Sequence, residues 1–262
     1  MPDNASPTAK TLPTTETIKL LANRVSVRKY ADQAVSEEAV EAILRAAFRA
    51  PTSSNIQSYS VVVVRDPATL EQLCAVTGGQ LHVKVAPVFL AFCADLTRIE
   101  GAMQRHDHTI QDNNLEIGLV SSIDASLVGM SASLVAESLG LKGVMIGAVR
   151  NNAAETARIL GLPDGVFVVF GMVLGYPGET PPQKPRMDYS RMVHYESYGK
   201  LRDERAPEQA LSDYDTALAA HYREDGRTTT DASWSDDMDK KFTPQLRENL
   251  RTEVKGRGFD FR

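Results

Sequence analysis

Cysteine is scarce: Cys74 and Cys93 are the only two in 262 residues. A disulfide framework or a four-cysteine metal site within the chain is thereby excluded, and a reducing compartment, the cytoplasm, is the expected setting. Surplus positive charge is also missing, since 29 Lys and Arg stand against 34 Asp and Glu for a net charge of -5. Nucleic acid requires a basic face, and an anionic membrane would find nothing to attract, so neither partner is expected. No G-x-G-x-x-G follows a strand-like run, and P-loop, H-E-x-x-H and G-x-S-x-G motifs are absent. A nucleotide-dependent enzyme with this sequence must therefore hold its cofactor in another way. His106-Asp107-His108 has metal-ligand residue types, but adjacent positions in a polar stretch read as an exposed loop, and no metal is expected. Residues 1–16 contain Pro2, Pro7 and Pro13 and no apolar run, which reads as a flexible leader and not as a signal peptide or a spanning helix.

What is present is the composition of a soluble globular protein, 42% hydrophobic and 24% charged, with ample length for a core. Residues 17–262 read as one domain without internal repeats. A short amphipathic piece at 17–22 leads into Arg24-Val25-Ser26-Val27-Arg28-Lys29-Tyr30. Ser36-Glu37-Glu38 opens a helix in which Val40, Ile43, Leu44, Ala47 and Phe48 fall at helical spacing, and Pro51 ends it. The β-branched run 59–65 predicts a strand buried on both faces, and 86–95, 142–148 and 166–175 predict three more. Helices are predicted over 68–76, 115–139 and 153–160, the first two stopped by glycines and the third capped by Asn151-Asn152. Residues 98–114 predict an exposed excursion. In the long helix Ala125, Gly129, Ala132 and Ala136 form a small-residue stripe that would let another helix approach, with a second copy of the chain as one such partner. After Thr180-Pro181-Pro182 the apolar density falls. Residues 181–262 are therefore predicted to be an arm, with helices near 208–222 and 244–254 and a polar loop at 224–233.

In an extended backbone Arg24, Ser26 and Arg28 share one face, with Val25 and Val27 on the other. Two guanidinium groups around a hydroxyl suit phosphate or carboxylate, although spacing alone favours an edge strand with solvated charges. Lys184-Pro185-Arg186 is a second basic pair, its cations biased to one side by the proline. Together these four cations could converge on one dianionic phosphate, each charge-assisted hydrogen bond contributing about 1.5–3 kcal/mol. Three further stretches are each unspecific alone. Residues 52–57 form a loop rich in turn formers. Gly78-Gly79-Gln80 marks a helix stop, and Met145–Arg150 marks a strand end where glycine lets backbone N–H groups approach a flat ligand.

Taken together, the Arg24–Tyr30 segment, the loop ending at Gln57, TGGQ at 77–80, IGAVRNN at 146–152, LGYP at 174–177 and KPR at 184–186 come in a characteristic order and spacing. In this the chain resembles the FMN-dependent nitroreductase superfamily, nearest to its oxygen-insensitive major nitroreductases and NADPH-flavin oxidoreductases. The resemblance implies an α+β fold with a central sheet flanked by helices, and an intertwined homodimer in which the arm embraces the second subunit. It also implies FMN as cofactor, NADPH or NADH as reductant, and a small-molecule electron acceptor (a nitroaromatic, quinone or flavin) reduced by two electrons in a ping-pong cycle. Carried over by position, Arg24, Val25, Ser26, Arg28, Thr52, Ser54 and Gln80 would bind the flavin. Met145, Ile146, Gly147 and Ala148 would form the backbone strip beside its ring. Lys184 and Arg186 would hold its phosphate or polar edge, and Arg28 and Lys184 would stabilise charge on the reduced ring. The chain departs from the branch in reading Arg24-Val25-Ser26 where His-Arg-Ser is usual, and Gly147-Ala148 where Gly-Gly is usual. In the 225–231 loop Asp225 and Thr230 take the places of arginines and only Arg227 remains for the dinucleotide, which makes NADH use plausible beside NADPH. Two alternatives fit the same resemblance: a dedicated biosynthetic or dehalogenating enzyme, and a flavin-binding protein without turnover.

Overall fold

The structure is a computed structural model that describes residues 12–110, 115–203, 205–226, 233–243 and 246–261. Most of the leader and all of Arg227–Asp231 lie outside the described residues. The sheet has four strands, β1 (Tyr59–Val64), β2 (Val88–Asp95), β3 (Lys142–Ile146) and β4 (Val166–Gly175), in the order β1-β2-β4-β3. Every neighbouring pair is antiparallel. The helices are α1 (Glu16–Ala22), α2 (Glu37–Ala47), α3 (Pro67–Val76), α4 (Leu81–Lys84), α5 (Thr97–Gln104), α6 (Leu115–Ser138), α7 (Ala153–Ile159), α8 (Tyr189–Met192), α9 (Pro207–Glu224), α10 (Trp234–Phe242) and α11 (Leu250–Gly256).

Strand β2 lies at the centre and is buried along its whole length. Its alternate residues serve two cores, as the pleat requires. Val88, Leu90 and Phe92 face α2 and α6, meeting Val40, Ile43, Val128 and Ala132. Phe89, Ala91 and Cys93 face the other layer, meeting Leu70, Leu73, Val83 and Val149. The architecture is thus a sheet between two helical layers, the α+β arrangement predicted.

Four expectations change. Strand β1 pairs only with β2 and leaves Val63 41% exposed. It is an edge strand, because an unbroken valine run does not distinguish an edge from a centre. The strand expected over 142–148 stops at Ile146, where a 3-10 turn, Gly147–Asn152, takes over. The excursion expected at 98–114 begins as α5, whose Glu100 N–H bonds to Leu96 O at 2.9 Å; 111–114 lie outside the described residues. The arm has a helix that the sequence reading missed, α10, opened by a capping box between Ser233 and Asp236, while the last helix starts at Leu250.

The small-residue stripe also finds a different use. Ala125, Gly129, Ala132 and Ala136 are buried against this chain's own sheet, and a Cβ on Gly129 would lie 2.3 Å from the Phe170 ring. What α6 exposes is its other side, including Leu119, Ile123, Leu127 and Met130. The helix is long and apolar enough to cross a membrane by length and composition, but its inner side is core. At the far end of the chain, Val254 and Phe259 bury themselves with Phe167, the two rings meeting edge-on at 4.6 Å. The end of the arm is therefore packed on its own body.

Candidate active site

The Arg24–Tyr30 segment is extended but joins no sheet. It is held by hydrogen bonds to two other stretches. Val27, fully buried, donates its N–H to Gly143 O at 3.1 Å. Glu179 Oε1 accepts the N–H groups of Arg28 and Lys29 at 2.7 and 3.1 Å, and Gly178 N–H bonds to Lys29 O at 2.9 Å. The Gln183 amide donates to Ala22 O and Arg24 O at 2.5 and 3.2 Å. Residues 22–30 and 176–183 are in effect zipped together, and the zip carries Lys184 and Arg186 to the side where Arg24 and Arg28 already stand.

There they share a cavity of about 150 Å³, lined by Arg24, Val25, Ser26, Arg28, Lys184 and Arg186 among others, with His221 and Asp225 also in its wall. Four cations against one carboxylate make the cavity strongly attractive to an anion. Lys184 lies over the Tyr222 ring, 4.9 Å from its centre, and bonds to the Tyr222 hydroxyl at 3.3 Å. That hydroxyl donates to Asp237 of α10 at 3.3 Å, so the arm positions one of the four charges.

Gln80 opens α4 and is half-buried, while its carbonyl accepts from the Cys74 thiol at 3.4 Å. Two residues on, burial and the nearby Arg28 charge hold the His82 imidazole below its ordinary pKa, against an opposing pull from Glu179. The charges of Arg28 and Glu179 are thus felt at α4. Burial likewise pushes the Tyr30 hydroxyl up, against the pull of Arg28.

Residues 52–58 form a loop around the 3-10 turn Ser53–Asn55. Ser54, Asn55 and Gln57 have φ of 47°, 57° and 55°, a left-handed conformation in which an L residue other than Asn or Asp is rarely found. Asp124, on the inner side of α6 and fully buried, hooks both ends. Its Oδ1 accepts from Ser53 N–H at 3.0 Å, and its Oδ2 from the N–H and the hydroxyl of Ser58, both at 3.2 Å. Arg98 adds a bond to Gln57 O at 3.1 Å and one to Tyr59 O. It is itself held by Asp95 at 3.2 Å.

In the strip at 145–148, Met145 is exposed and Ile146 buried, as strand alternation dictates, and Gly147 and Ala148 begin the 3-10 turn. The Asn151 amide of that turn would be 4.0 Å from a Cβ at Gly78, so the strip and the Gly78-Gly79-Gln80 stretch are neighbours. The structure thus brings Arg24, Val25, Ser26, Arg28, Lys184 and Arg186 into one cavity. Thr52, Ser54, Gln80 and Met145–Ala148 do not line it, and Arg227 lies outside the described residues. Glu179, Gln183, Tyr222 and Asp124 were not anticipated. For Asp124 a signal existed: it is the only charged residue between Ile117 and Ala136, and a buried charge needs partners.

Residues 21–176 match the nitroreductase family, and residues 184–262 match the C-terminal domain of that family. The chain belongs to the nitroreductase family. It is 37% identical to the oxygen-insensitive NADPH nitroreductase of Salmonella typhimurium over 223 residues, 84% of this chain and 88% of that one. It is 35% identical to an FMN reductase [NAD(P)H] of Bacillus subtilis over 246 residues, 91% of this chain and 97% of that one. The solved NADPH:FMN oxidoreductase of Vibrio harveyi, complexed with NAD+, superposes with a TM-score of 0.84 at 29% identity, covering 95% of this chain and 100% of that one. As a nitroreductase the chain should offer a site for a phosphorylated flavin, and the residues fit: four converging cations suit a phosphate monoester, and exposed hydroxyl and amide groups stand on the 52–57 loop.

Proposed function

We propose that this nitroreductase is an FMN-dependent NAD(P)H oxidoreductase whose cation cavity holds one end of the flavin. The observation that carries the reading is the convergence of Arg24, Arg28, Lys184 and Arg186 on one cavity in a chain of this family. Bound FMN supplies the two-electron chemistry, accepting a pair from NADPH or NADH and giving it to a nitroaromatic, a quinone or a free flavin. A quinone leaves with two electrons and two protons, the second proton coming from water.

The chain's own part is binding and charge. Arg24, Ser26 and Arg186 would hold phosphate or the flavin's polar groups, and Val25 would pack beside them. Arg28 and Lys184 would stand where negative charge grows during reduction and stabilise it without donating a proton, an electrostatic role. Thr52, Ser54 and Gln80 would add hydrogen bonds, and Met145, Ile146, Gly147 and Ala148 a flat backbone edge. Their absence from the cavity wall is the reason to propose a homodimer. A second copy would supply the missing loop and cover the apolar side of α6 at Leu119, Ile123, Leu127 and Met130. Residues 181–262 would then be the arm that meets the partner, at least before the docked end at Phe259. Arg227 is proposed as a dinucleotide contact, and Asp225 on the cavity wall disfavours an extra 2′-phosphate, which makes NADH a competent reductant. The two buried cysteines, both free, suit a cytoplasmic enzyme.

The test is to load purified protein with FMN and add NADH or NADPH without oxygen, following the flavin absorbance in a stopped-flow instrument. Bleaching by either, reversed by nitrofurazone or a quinone, is the expected result. A yellow protein that neither reductant bleaches would be a flavin-binding protein without turnover, and one that takes up no FMN removes the proposal.

A further inference from the structure

Three left-handed residues, the strained Ser54 and Gln57 with Asn55 between them, sit close together on an exposed loop. Strain of this kind persists only where the surroundings over-determine it, and it gathers at ligand sites. Here the chief determinant is one side chain. Asp124, with 0% of its surface exposed, accepts the Ser53 N–H with one oxygen and the N–H and hydroxyl of Ser58 with the other. Both ends of the loop hang on a single carboxylate, while Ser54, Asn55, Ile56 and Gln57 face solvent. Packing does not ask for an acid at this place, since the rest of the inner side of α6 fills its space with Ala, Val, Ser and Gly. An acid there serves the loop.

We propose that Asp124 is a positioning residue that keeps loop 53–58 in its strained form, so that the exposed hydroxyl and amide groups meet the polar part of FMN already ordered. The inference rests on the FMN reading above. A loop fixed before binding loses less conformational freedom when the ligand arrives, and this shows as affinity. Asp124 itself touches no ligand; it acts through Ser53 and Ser58.

The test titrates FMN into the full-length apoprotein by fluorescence quenching and melts each apoprotein. The variants are Asp124→Asn, Ser58→Ala and Asn55→Gly. In Asp124→Asn one acceptor oxygen becomes a donor, and whichever way the amide turns its NH2 faces the N–H of Ser53 or of Ser58. The FMN dissociation constant should rise about ten-fold, with the salt dependence of binding, set by the cations, unchanged. Ser58→Ala, which loses only the hydroxyl bond, should raise it by roughly two- to three-fold. Asn55→Gly accepts the left-handed backbone without strain but frees the loop. Its apoprotein should melt within about a degree of wild type yet bind FMN more weakly, a separation that a purely structural loop would not produce. Wild-type affinity in both Asp124→Asn and Asn55→Gly overturns the inference. If Asp124→Asn does not fold, Ser58→Ala and Asn55→Gly decide it in the same way. A wild-type protein that takes up no FMN overturns the flavin reading itself, a different result from variants that bind as well as a wild type that does bind.

Discussion

The two ligand-facing stretches of this protein are held in opposite ways. The Arg24–Tyr30 segment has no left-handed residue and is fixed by many ordinary bonds, to Gly143, Gly178, Glu179 and Gln183. Its cations reach outward from a backbone that any residue can adopt. The 52–58 loop has left-handed backbones at three of its seven residues and depends on one buried carboxylate with help from Arg98. The first arrangement tolerates the loss of any single bond; the second fails when its single anchor is altered. Distributed anchoring suits a cavity that must hold charge against charge in water. Concentrated anchoring suits a small loop whose few polar groups must point in defined directions.

The largest loss is expected from Gly178. A Cβ there would lie 2.7 Å from Tyr30 C and 2.9 Å from Tyr30 O, a backbone clash that flexible side chains cannot relieve. Gly178→Val should push the Arg24–Tyr30 segment off its zip and weaken FMN binding by about a hundred-fold, as if two charge-assisted bonds were lost. The sheet lies elsewhere, so the far-ultraviolet circular dichroism should be retained. A next, smaller effect is expected from the cations singly. Arg28→Ala or Lys184→Ala should raise the FMN dissociation constant by about ten-fold, exposure holding the loss to the low end of a charge-assisted bond, and should slow reduction of the bound flavin. Glu179→Ala tests whether distributed anchoring is as tolerant as it looks. It strips two N–H groups of their acceptor, yet the other bonds remain, and a loss of only a few-fold in affinity is expected, with Tm lower by about 2–4 °C.

The same contrast decides what could be read in the sequence. The β2 and β4 runs announce the core because burial leaves an apolar pattern. The family motifs announce Arg24, Arg28, Lys184 and Arg186, although their meeting depends on the Glu179 and Gln183 bonds, which join residues about 150 positions apart. The edge position of β1 was not legible, because β-branched residues serve exposed and central strands alike. The inward turn of the α6 stripe was missed because small residues fit a bulky ring as well as they fit a helix, and the ring at Phe170 becomes apparent only after folding. Helix α10 lies between the loop and the helix expected from the sequence and is not legible there, because its signal is a capping box in a strongly polar stretch. Asp124 was passed over among apolar neighbours, where its isolation was itself the clue.

The smallest expected effect concerns the joint between the Arg24–Tyr30 segment and α4. His82 is half-buried, and its burial and the charge of Arg28 both disfavour the imidazolium, with Glu179 opposing them more weakly. The folded protein therefore takes up this proton at a lower pH than the unfolded chain, whose histidine titrates near 6.5. Stability owed to neutral His82 is complete above that value and is lost as the pH falls through the lower, folded pKa, because the unfolded state binds the proton first. Solvent screening of a ring that is only half-buried keeps the effect to about a degree in Tm between pH 7.5 and 5.5. In His82→Gln that part of the slope should vanish, while Glu179→Gln, which removes the opposing charge, should steepen it. If melting curves of His82→Gln keep the wild-type slope, α4 is not electrically joined to Arg28, and the segment's anchoring ends at Glu179.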